Sequence, residues 1–146
     1  MALFNPTRDQ VRQFFFDTWS KFNADQRLSD LEAIALEVMH MHPEYHQVLN
    51  APERYLAQAY FPEMGETNPF LHMSLHLSIL EQTGIDQPPG IKAAYQALQE
   101  KLGEPHPAQH TLMECLAETI WQAQRSQTAL DAEAYIALIR QKSATA

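Results

Sequence analysis

Apolar residues recur along this chain at helical spacing, not in strand-like alternation. After Thr7, Val11, Phe14, Phe15, Trp19 and Phe22 form one stripe that fades at Asn23-Ala24-Asp25, which predicts a first helix opening at Thr7. Ser29 followed three residues later by Glu32 has capping-box spacing, and Leu31, Ile34, Ala35, Val38 and Met41 then make a second stripe. That helix is expected to run to about His42, because Pro43 biases the preceding residue away from helical geometry. Pro43 to Asn50 and Pro52 to Tyr60 read as short helices, with a loop from Pro62 to Thr67.

Asn68 as N-cap and Pro69 at the first helical position open the most apolar helix, expected to close at Thr83-Gly84. A turn from Asp86 to Gly90 leads into Ile91 to Leu102, which ends at Gly103. Pro107 to about Arg125 follows, then a last helix capped by Thr128 over Asp131 to Gln141, with a tail expected to fray from Ser143 to Ala146. The pattern predicts an all-α fold: one compact helical bundle over residues 1–146, of about six to eight helices with a four-helix-like core.

Composition agrees with helices and narrows the function classes. Ala and Leu far outnumber Val and Ile, and only 4 residues are Gly, which disfavours an all-β domain. A net charge of −8 without a basic run argues against nucleic acid and anionic membranes as partners, leaving a protein partner or self-association. The densest apolar stretch, Pro69 to Leu80, is broken by His72, Ser74, His76 and Ser78 and is shorter than the roughly 20 residues a span requires. The start MALFNPTRDQ lacks a basic region ahead of an apolar run, so a cytoplasmic location is expected. The single Cys115 excludes an internal disulfide and cysteine-rich zinc sites. It is expected on the polar side of its helix, away from His110, as neither ligand nor nucleophile.

The candidate chemistry is in the histidines, of which there are 7. Three segments repeat a proline followed three residues later by His: His42-Pro43-Glu44-Tyr45-His46, Asn68-Pro69-Phe70-Leu71-His72 and His106-Pro107-Ala108-Gln109-His110. Proline at a helix start would place each of these His near an N-terminus, where the dipole disfavours imidazolium and favours the neutral ring a metal needs. His76 lies four after His72 and Glu114 four after His110, so each pair shares a helix face. Helical projection turns His72 and His76 inward, puts His110 beside Ala117 and Trp121 with Glu114 at the edge, and places His42 with Leu31, Ala35 and Val38. His40 falls on the far side. His72, His76, His110 and Glu114 are therefore the first candidate ligands, with His42, His46 and His106 next.

A lone inward His is most often satisfied by a neighbouring carbonyl. Several imidazoles aimed at one apolar interior are costly without a shared partner, and a metal supplies one. Imidazole plus carboxylate suits iron, zinc, manganese or nickel without separating them. Two functions follow: a metalloprotein, with metal-dependent enzyme and redox or oxygen-handling roles open and no catalytic residue assigned, or a non-catalytic helical interaction module with a structural His cluster. A pH-responsive His cluster is a third. No nucleophile elbow or dinucleotide fingerprint is present.

The His-x-x-x-His and His-x-x-x-Glu pairs resemble in spacing those of hemerythrin-like and DinB-like bundles. The ligand order departs from hemerythrin and its final His-to-Asp pair is missing, so oxygen carriage is not implied. A closer resemblance rests on the His42 to His46 motif, Asn68 to His76 through Glu81-Gln82, and His110 to Leu116 followed by Trp121 to Arg125. Together these resemble the bacterial family called domain of unknown function 1841 over about Val11 to Ile139. The resemblance implies a bacterial cytoplasmic protein and supplies no activity.

Overall fold

The computed structural model describes residues 7–61 and 64–145, so Pro62 and Glu63 of the expected loop, and Ala146 of the tail, lie outside the described residues. The fold is all-α, with no strand among the described residues. By its contacts the chain divides into two compact units, Met1–Leu77 and Ser78–Ala146.

In the first unit, α1 (Arg8–Asn23) and α2 (Asp30–Met41) start where their capping residues dictate. Thr7 and Gln10 form a reciprocal capping box, as do Ser29 and Glu32, and each satisfies backbone N–H groups that have no partner inside the helix. The two helices pack together, burying Phe15, Phe16 and Trp19 from one and Ala35, Val38 and Met39 from the other. Lys21 Nζ reaches Glu32 Oε2 at 2.8 Å across the pair.

Pro43 ends α2 one residue early, with His42 in an extended conformation at the C-cap. The expected single helix from Pro43 is a 3-10 turn (Pro43–Tyr45) followed by the one-turn α3 (His46–Leu49). Similarly, α4 covers only Pro52–Tyr55 and does not reach Tyr60. The reason is a residue far away in sequence. Arg12 Nη1 donates to the carbonyls of Tyr55 (3.2 Å), Leu56 (3.0 Å) and Gln58 (2.7 Å), oxygens that a continuing helix would have used itself.

Asn68 Oδ1 accepts from the backbone N–H of Phe70 and Leu71 and starts α5 (Pro69–Ile85) as expected. This helix runs past Gly84, and Asp86 takes the left-handed conformation (φ 54°) in its place. Asp86 can do so because its carboxylate accepts from the N–H groups of Gly90 and Lys92, fixing the turn locally.

In the second unit, α6 (Ile91–Leu102), α7 (Pro105–Ser126) and α8 (Ala132–Thr145) each pack against the other two. Gly103, at φ 82°, ends α6 with its N–H on the Gln99 carbonyl. Pro105, not Pro107, takes the first helical position of α7, and Pro107 is accommodated because first-turn N–H groups have no helical acceptor. Asp131 Oδ1, not Thr128, caps α8 by accepting from Ala134, and the helix persists to Thr145 where fraying was expected from Ser143. Tyr135, fully buried, donates to Gln82 Oε1 at 2.7 Å.

The apolar stripe expected along α7, Met113, Leu116 and Ile120, keeps Met113 and Leu116 buried, and the buried face extends beyond it. Ala108, Leu112, Cys115 and Thr119 form its inner row, so Cys115 is buried, whereas Ala117 and Trp121 face outward. Small residues at 108, 115 and 119 let neighbouring helices approach closely, an advantage that hydrophobicity counting does not register.

Candidate metal centre

The interruption at Pro43 positions the first part of the site. His42 sits just beyond α2, with only 4% of its surface exposed, on the Ala35 and Val38 side as expected. Its Nδ1 lies 2.8 Å from Glu44 Oε1 and its Nε2 lies 3.1 Å from His76 Nδ1. Since a carboxylate only accepts, Nδ1 of His42 carries a proton toward Glu44, and in the neutral ring that leaves the lone pair on Nε2. Burial raises the Glu44 carboxyl, yet the hydrogen bond from His42 and the charges of His42 and His72 hold it below its ordinary value.

His76 is fully buried on α5. The ring of His72, one turn earlier, lies edge-on 4.5 Å from that of His42, and Tyr45 stacks on His42 at 5.3 Å. Burial, followed by the nearby Glu44 charge, raises the Tyr45 phenol. His42, His72 and His76 are thus gathered within the first unit, supported by Glu44 and Tyr45.

In the second unit, starting α7 at Pro105 puts His106 in the first turn and His110 one turn on. Their Nε2 atoms are 2.8 Å apart and their rings are perpendicular. Two ring nitrogens facing each other at this distance share one proton if both rings are neutral, or hold a common ion.

Within each unit one pair of ring nitrogens is close enough to share an ion: His42 Nε2 and His76 Nδ1 at 3.1 Å in the first, and His106 Nε2 and His110 Nε2 at 2.8 Å in the second. In a tetrahedral zinc site, bonds of about 2.0–2.1 Å set nitrogens about 3.3 Å apart. The two directly facing pairs are within a few tenths of an ångström of that value. The donor set is all nitrogen, which suits zinc, iron or nickel and excludes the oxygen-preferring calcium and magnesium.

Three expected ligands fall outside these pairs. Glu114 is exposed on α7, whose inner face carries Cys115 inward instead. His46 is committed elsewhere: its Nε2 donates to the Met39 carbonyl at 2.8 Å and its ring lies 4.6 Å from that of Trp19. His72 lies beside the His42–His76 pair without supplying one of its two nitrogens. Sequence reasoning missed Glu44 and Tyr45, although both stand inside the His42-Pro43-Glu44-Tyr45-His46 motif, where a carboxylate two residues from a candidate ligand was the available signal. His40, expected on the far side, is exposed.

No helix of the described residues is long and apolar enough to cross a membrane. The family model described as domain of unknown function (DUF1841) matches residues 7–141. No curated protein and no solved structure matches the chain.

Proposed function

The chain belongs to the DUF1841 family, and for it we propose a metal-binding protein whose imidazole ligands are His42 and His76 of the first unit and His106 and His110 of the second. The observation that carries the proposal is the direct facing of two ring nitrogens within each unit, 3.1 Å apart in the first and 2.8 Å in the second. A second support is Glu44, which orients His42 in the manner of the carboxylates that stand behind metal-bound imidazoles.

When bound, the metal supplies Lewis acidity. Two protein nitrogens from one pair leave coordination positions open on zinc, iron, manganese or nickel alike. Iron or zinc accords best with an all-imidazole set. The chain's own part is to hold neutral rings with their lone pairs aligned and to exclude water around His42 and His76.

One observation favours the alternative of a non-catalytic interaction module with a structural His cluster. The His42–His76 and His106–His110 pairs are each within N–H···N hydrogen-bond distance, so neutral rings satisfy one another in part without an ion. Elemental analysis of untagged protein purified without chelator separates the two. The expected result is one or two ions per chain, with metal content and thermal stability lowered together in a His42→Ala, His76→Ala variant or in a His106→Ala, His110→Ala variant. A metal-free protein whose melting curve ignores added zinc, iron, manganese and nickel would establish the interaction module.

A further inference from the structure

Arg12 is an unusual residue to find 2% exposed in the middle of a short amphipathic helix. Among the described residues no carboxylate forms an ion pair with it. Its three hydrogen bonds all leave from Nη1, to the carbonyls of Tyr55, Leu56 and Gln58, and none is made by Nε or Nη2 to a described residue. Nε is buried without a partner, and so is the hydroxyl of Tyr60. The guanidinium lies over the rings of Phe70 (4.7 Å) and Tyr60 (5.5 Å), which fixes its plane.

A staple for the turn at residues 55–58 needs only the Nη1 side of this group. The Nε–Nη2 edge is the one that presents two parallel N–H bonds, the arrangement that pairs with two oxygens of a carboxylate or phosphate. Arg12 also lines a cleft of about 210 Å³ together with Arg8, Asn68, Phe70 and Ser74. Arg8 stands at the rim with its Nε 3.4 Å from Asp9 Oδ1, and burial followed by the Arg8 charge lowers the Arg12 pKa from its ordinary value against the opposing charges of Tyr60 and Asp9. A buried cation held by carbonyl dipoles, flanked by another cation and keeping a bidentate edge unused, is completed by an anion.

We propose that Arg12, with Arg8 at the rim of the cleft, binds the oxyanion group, carboxylate or phosphate, of a small-molecule ligand. The site is independent of the histidines: it uses none of them, and its success or failure leaves the metal proposal where it stands.

The test follows the Arg12 Nε–H signal by nitrogen-15 NMR of the full chain while sodium phosphate or sodium acetate replaces chloride at constant ionic strength. A saturable shift in the low millimolar range is expected, with half-saturation displaced about tenfold in Arg8→Gln. Saturation by phosphate alone identifies a phosphoryl ligand, and saturation by both anions identifies a carboxylate or general oxyanion site. In parallel, the anion-dependent rise in melting temperature should vanish in Arg12→Lys, which keeps the charge but loses the edge. A shift that grows linearly without saturating, or an affinity unchanged in Arg8→Gln, overturns the proposal even if Arg12→Lys fails to fold.

Discussion

His42 and Glu44 are two residues apart with a proline between them, and that proline turns the chain so that Nδ1 of one meets Oε1 of the other at 2.8 Å. The contact sets the tautomer of a buried ring, so a local turn decides which nitrogen faces His76. Removing the carboxylate in Glu44→Ala is expected to weaken metal binding by about 10- to 100-fold. Glu44→Gln, which keeps an acceptor oxygen, should lose less. Competition with a chromophoric chelator measures both, and equal affinities across wild type and Glu44→Ala would show that the carboxylate does not orient the ring.

His46 and Glu114 separate histidine chemistry from histidine architecture. His46→Ala leaves the Met39 carbonyl without its donor and removes a ring packed on Trp19, so a loss of about 1–2 kcal/mol is expected from denaturant unfolding. Metal content should be unchanged in His46→Ala and in Glu114→Gln. Loss of metal from either one would move the ligand set away from the His42–His76 and His106–His110 pairs.

Glu32 gives the stability a defined pH dependence. Its hydrogen bond with Lys21, and then the one from the Ser29 backbone, hold its carboxyl below the ordinary value. A depressed carboxyl stabilises the fold above its unfolded-state pKa and loses that contribution as pH falls through the lowered folded value. Glu32→Gln preserves the capping box and removes the charge. With Lys21 40% exposed, solvent screening limits the cost to about 0.5–1 kcal/mol at neutral pH, shrinking toward zero once the pH is taken below the lowered folded value. Urea midpoints of both proteins at the two pH values check it, and a gap that persists in acid would refute the assignment.

Cys115 is expected to behave as an inert core residue. Burial pushes the thiol up to about 11 against the opposing charge of Lys142. A thiol-specific disulfide reagent should therefore react at the rate at which the protein opens, accelerating in denaturant in step with unfolding. Rapid reaction of the native protein would place the sulfur nearer solvent than its 0% exposure.

Much of the helical framework is legible because its signals are local. Thr7, Ser29 and Asn68 cap helices through bonds to residues two or three positions on, and Gly103 closes α6 by adopting a backbone conformation closed to most side chains. The inward turn of His42 and His76 was legible for the same reason, since a burial stripe repeats every turn. Where two local signals competed, adjacent residues settled the matter. Pro105 displaced Pro107 at the start of α7, and Asp86 displaced Gly84 at the end of α5.

The amino-acid sequence by itself determined that the chain is helical, where most helices begin, and which histidines face inward, because these depend on contacts within a turn or two. Tertiary structure alone decided that α4 stops at Tyr55, since the carbonyls beyond it bind Arg12, 43 to 46 residues away. It also decided that α7 turns Cys115 inward and Glu114 outward, because close approach between helices rewards small side chains as much as apolar ones. The meeting of His42 with His76, 34 residues on, belongs to the same level, since only folding brings α5 to the end of α2.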